Sequence, residues 1–206
     1  MGEFLTGRTR LQQTDRKRIW KLLDNELFKA DDGSILLAPR TMYTDNYTIP
    51  QELAWIAGSP VDFDTRCSHI HDAQCYWHLA LFTTLTEEEL KEKGFLRYSA
   101  KNRMWVCEDI PVEYLSYKKV GKFKANNILY ECMKAADVPL INRLVIRAGV
   151  ALNLNWYIYP LIGKILPLEL DRIYCEDYWR EYIGVESVVD LLIRFYNFLK
   201  RILQIC

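Results

Sequence analysis

Cys67-Ser68-His69-Ile70-His71-Asp72-Ala73-Gln74-Cys75-Tyr76-Trp77-His78 contains all three histidines of a 206-residue chain. From Cys67 to Phe82 the pattern is helical. At about 100° per residue, His71, Cys75, His78 and Phe82 share one arc, and Asp72, Tyr76 and Leu79 the arc beside it. Upstream, Leu27-Phe28 and Ile35-Leu36-Leu37 are apolar runs of strand length. Between them Asp31-Asp32-Gly33-Ser34 offers a glycine able to take positive φ, so residues 25–39 read as a β-hairpin closed by Pro39. A polar loop, Thr44-Asp45-Asn46-Tyr47-Thr48-Ile49-Pro50, and a second break at Gly58-Ser59-Pro60 follow.

Downstream, Thr86-Glu87-Glu88-Glu89 has the form of a capping box and starts a short helix. Phe95–Tyr98 and Met104–Cys107 form a second hairpin around Ser99–Arg103, and Pro111 and Lys118-Lys119 lead into an irregular connection. Helices are expected over 122–136 and 140–152, split by Asp137-Val138-Pro139, with further breaks at Pro160, Gly163 and Pro167. Glu186–Ile205 has more apolar positions than one stripe needs, which predicts a helix covered on more than one side. The fold class is α+β: N-terminal hairpins on a helical core within residues 1–160, then a helical extension over 161–206.

Composition narrows the function classes. Lys+Arg and Asp+Glu are equal at 27 each, so the global charge does not favour nucleic acid. The basic run Arg8, Arg10, Arg16, Lys17, Arg18 and Lys21 reads as a solvated face. The six cysteines are scattered without a CxxC pair. That pattern fits reduced, buried thiols rather than a zinc ribbon or a disulfide framework. The N-terminus lacks the apolar core of a signal peptide, and no window holds about 18 consecutive apolar residues.

Three uses of the histidine stretch compete. His71, Cys75 and His78 on one helix face would suit zinc, but no second Cys/His cluster completes a closed site. A His followed at once by an Asp could pair a proton acceptor with a cation ligand, if another group fixed the tautomer of the ring. The third use is structural, with the Asp placed near the positive end of the helix dipole.

The order of motifs also carries a resemblance. The hairpin ending in Pro39, the Thr44–Pro50 loop, His71-Asp72 with Tyr76 nearby, Lys124-Ala125-Asn126 through Glu131-Cys132-Met133, and Val138-Pro139 together resemble the DUF1353 family over roughly residues 20–155. This is a family of small proteins found largely in bacteriophages and prophages. Its His-Asp helix is similar to the active-site helix of phospholipase A2-like enzymes. The resemblance implies His71 as base, Asp72 as calcium ligand with Asp45 as a further carboxylate, and a group on the later helix orienting the His. Asn126 stands where the family has that orienting carboxylate. Cys75 takes the place of the family's tyrosine, with Tyr76 one residue later, and residues 83–120 form an insertion. The expectation is a phage-encoded structural or interaction protein, in the particle or the host cytoplasm, contacting other phage proteins or its own copies. Its degenerate site would comprise His71, Asp72, Tyr76 and Asn126, with no cofactor unless calcium. The alternatives are a calcium-dependent lipid hydrolase and an inhibitor of a host protein.

Overall fold

The computed structural model describes residues 2–14, 19–44, 64–75, 78–152 and 168–181. The Asp45–Pro50 part of the polar loop, Arg16-Lys17-Arg18, Tyr76 and the apolar C-terminal segment lie outside the described residues.

The strands are β1 (Glu3–Phe4), β2 (Leu11–Gln13), β3 (Trp20–Leu22), β4 (Glu26–Lys29), β5 (Ile35–Ala38), β6 (Tyr43–Thr44), β7 (Leu79–Thr83), β8 (Leu96–Ser99), β9 (Met104–Cys107) and β10 (Leu115–Lys119). The helices are α1 (Arg66–Cys75), α2 (Glu87–Glu92), α3 (Lys122–Ala135) and α4 (Leu140–Leu152). A five-stranded antiparallel sheet runs in the order β1-β4-β5-β7-β10, beside a three-stranded sheet, β2-β3-β6, and the β8-β9 hairpin. The architecture is mixed α+β, with both hairpins and the helices over 122–135 and 140–152 where their sequence patterns place them.

The β4–β5 hairpin closes through Gly33 at φ 83°, with the Ala30 amide bonded to the Ser34 carbonyl. Leu27 pairs with Leu37 and Phe28 with Leu36. Side chains alternate across a strand, so the continuous apolar runs are divided between two cores. Phe28, Leu36, Ala38 and Ala80 pack with Ile70 of α1 and Ile128 and Leu129 of α3. Leu27, Ile35, Leu37 and Leu81 pack on the opposite face with Leu90, Leu96, Ile110 and Leu115. The sheet is therefore covered on both sides, and much of the apolar content of residues 83–120 covers the second.

Two expectations are corrected. The helix does not run from Cys67 to Phe82: α1 ends at Cys75, His78 has φ 55°, and Leu79–Thr83 form β7. The alternation Ala80-in, Leu81-out between two apolar cores satisfies a strand as well as a helix arc, and this overrides the helical period. The stretch after Pro111 is not irregular either. Residues Leu115–Lys119 are β10, paired with β7 from Leu115↔Thr83 to Lys119↔Leu79.

Thr86 caps α2 as its sequence implies: its hydroxyl accepts from the Glu89 amide, and the Glu89 carboxylate accepts from the Thr86 amide at 2.7 Å. Thr86→Ala is expected to lower stability by about 1 kcal/mol, read as a lower urea midpoint at unchanged slope.

Candidate functional site: the α1–α3 histidine cluster

Helix α1 starts where the Asp64 carboxylate accepts the Arg66 amide at 3.1 Å and the Arg66 guanidinium donates to the Thr6 carbonyl at 2.6 Å. Eight of its side chains are buried, among them Ser68, His69, His71 and Gln74. A helix enclosed this fully must supply partners for its polar groups, because each buried donor or acceptor left without one costs free energy.

His69 and His71 leave α1 on different flanks. His69 turns to the sheet. Its Nδ1 lies 2.8 Å from Oε1 of Glu26, and both side chains are fully buried. Glu26 reaches it because period-2 alternation puts Glu26 on the same face of β4 as Phe28. Burial works against a charged His69 ring, but the charge and hydrogen bond of Glu26, helped by Asp72 and Asp64, outweigh it and hold its pKa above 6.5.

His71 turns to α3. Its Nε2 lies 3.3 Å from Oδ1 of Asn126, and its Nδ1 lies 3.8 Å from Oδ1 of Asp72. The other Asp72 oxygen accepts the Thr44 hydroxyl at 2.6 Å. Cys75 Sγ stands 3.6 Å from both ring nitrogens, so it lies against the ring rather than along either N–H direction. Burial again opposes the charge, while the Cys75 sulfur and the Asp72 carboxylate raise the pKa well above 6.5. The Asn126 oxygen lies within hydrogen-bond reach of Nε2, and the Asp72 carboxylate is near enough to Nδ1 for its charge to act, though beyond hydrogen-bond length.

His71, Asp72 and Asn126 are thus brought together, with Cys75 as a fourth member. Asp45 and Tyr76 lie outside the described residues. His78 is separated from the cluster by the end of α1, which removes the shared face that a His71–Cys75–His78 metal site requires. Among the described residues no group of three or more His, Cys, Asp or Glu is placed to hold a metal ion. The thiols of Cys67, Cys107 and Cys132 are buried and burial pushes each of them up, so they stay protonated and unreactive.

Sequence reasoning missed Glu26. A signal was present: a carboxylate two residues before Phe28 in a strand falls on a core-facing position, where it needs a buried partner. A second polar region, an open cleft of about 590 Å³, is lined by residues that share no sequence motif. Arg10, Arg40 and Arg97 line it, but each faces its own carboxylate, on Asp24, Asp109 and Glu108.

Chemically, a ring held as the imidazolium donates protons but does not accept one, so the raised pKa of His71 works against its acting as a base. Fold and site define an α+β protein with a sheet buried on both faces and a closed His–Asp–Asn–Cys cluster between two helices. No protein-family model matches the chain, and no curated protein or solved structure matches it.

Proposed function

We propose that the chain is a phage-encoded structural or interaction protein, with the virus particle as its setting, and that its His71–Asp72–Asn126 cluster is the remnant of a hydrolase site. The observation that carries this reading is the enclosure of His71: 4% exposed, with Asn126 Oδ1 at 3.3 Å from Nε2, the Asp72 carboxylate 3.8 Å from Nδ1 and a raised pKa. Catalysis of ester hydrolysis needs a nitrogen free to take a proton from water. The phage setting rests on the order of motifs from Pro39 to Val138-Pro139. An exposed edge-on aromatic pair on the second hairpin, Tyr98 and Trp105 at 5.9 Å, suits a contact role. Mass spectrometry of purified particles tests it: the chain should be found at stoichiometric levels, and its confinement to infected-cell lysate would refute the assignment.

A second reading, a calcium-dependent hydrolase of lipid esters, is favoured by one observation. The contact from His71 Nε2 to Asn126, with Asp72 beside the ring, is the layout the phospholipase resemblance implies. Asn126→Asp would restore the charge that stabilises an imidazolium during turnover, and on this reading it raises activity on mixed micelles by roughly 10²–10⁴-fold. If calcium gives no heat in calorimetric titration, and neither the parent chain nor Asn126→Asp turns over, this reading is eliminated.

A further inference from the structure

Helix α4 turns Ile146, Gly149 and Val150 into the core, yet its exposed positions are also apolar: Leu140, Ile141, Leu144, Ala148 and Ala151. At about 100° per residue these five occupy a single arc of about 100°. A helix apolar on both sides calls for an apolar environment on both sides. The side chains stand proud of the surface, Ile141 at 64% and Leu140 at 56% exposure, and Phe123 of α3 adds a further 74% exposed ring.

The charges on α4 itself have one sign, with exposed Asp137 just ahead of the helix. Helix α4 contains no acidic residue, and its two charges are Arg143 and Arg147. Both guanidiniums lie over the Tyr130 ring at 5.3 Å, and Arg147 also lies 5.9 Å from the Phe123 ring. Arg147 donates to Asn127 Oδ1 at 2.7 Å. Neither arginine has a carboxylate within ion-pair distance among the described residues, in contrast to the paired arginines of the polar cleft. Lys124 lies beside Phe123 and is shared with Asp32 at 3.6 Å.

We propose that this face docks on an anionic lipid bilayer. Protruding Leu, Ile and Phe side chains enter the boundary between headgroups and acyl chains, while Arg143 and Arg147, packed over Tyr130 beside the face, supply positive charge that anionic headgroups complement. A second copy of the chain fits less well, because a two-fold contact through α4 would bring unneutralised arginines together. The helix lies on the membrane rather than through it: among the described residues no helix is long and apolar enough to cross one. This goes beyond the reading of the His71 cluster and does not depend on it.

The test is co-sedimentation of the full chain with vesicles of phosphatidylcholine alone and of phosphatidylcholine mixed with phosphatidylglycerol. The chain should pellet with the mixed vesicles, and added NaCl should weaken binding, since each surface cation contributes roughly fivefold in affinity. Ile141→Asp and Phe123→Ser should each reduce binding roughly tenfold or more at an unchanged melting temperature. Failure to bind either vesicle, equal binding to both compositions, or full binding by the two folded variants would overturn the proposal. So would a dimer in sedimentation equilibrium that Ile141→Asp abolishes, which would give the face to a second copy. If a variant unfolds, the composition and salt dependence of the parent chain decide.

Discussion

Glu26→Ala is expected to lower the stability of the fold by about 3–5 kcal/mol, because truncating one partner of a buried ion pair strands the other without compensation. The pair is His69 Nδ1 and Glu26 Oε1 at 2.8 Å, both fully buried. The loss should depend on pH. The pKa of His69 is raised in the folded state, so its contribution is complete below the unfolded value of 6.5 and is lost as pH rises through the folded value. His71 is raised too and acts in the same direction. Without Glu26, burial dominates at His69 and favours the neutral ring, so the variant gains stability as pH rises through the ordinary imidazole range. The difference between parent and variant should therefore be largest in mild acid and shrink toward alkaline pH. Urea midpoints measured at about pH 6 and about pH 9 check this. A difference that grows with pH would show that Glu26 and His69 do not form this pair.

Trp179→Ala should cost about 3–5 kcal/mol as well, the usual range for deleting a large buried aromatic side chain. Trp179 is 1% exposed, and its indole N–H donates to the Ile173 carbonyl at 2.7 Å. Tyr178 beside it is fully buried, and its hydroxyl accepts the Glu169 amide at 3.1 Å. Tyr178 and Trp179 pack into the core on the α1 side of the sheet, whereas Ile173 packs into the opposite one. Residues 168–181 therefore clasp both cores, and the loss of Trp179 should loosen both together. A single cooperative transition at a lower midpoint is expected. A midpoint within error of the parent would contradict the clasp.

Local signals made much of this fold legible. Gly33 in an Asp-Asp-Gly-Ser turn, the Thr86–Glu89 capping box and the Asp137-Val138-Pro139 break each depend on chemistry within a few residues. What escaped depends on distant partners. Leu79–Thr83 are a strand because β5 and β10 flank them, and nothing within the stretch reports those neighbours. Leu115–Lys119 alternate only weakly, since Tyr117 faces solvent at the sheet edge. At the site, the Asn126 contact to His71 was foreseeable only through the order of motifs, because 55 residues separate the two. Glu26 was legible in principle from strand alternation, but the histidine it meets is 43 residues away.

On the proposed reading His71 is an enclosed imidazolium beside Asp72 and Asn126, and not a base awaiting substrate. Long-range nitrogen–proton correlation spectra of the three imidazoles, recorded across a pH titration, address it directly. His71 should show two protonated ring nitrogens up to at least about pH 8. A His71 ring that turns neutral at or below its ordinary value of 6.5 would contradict the account.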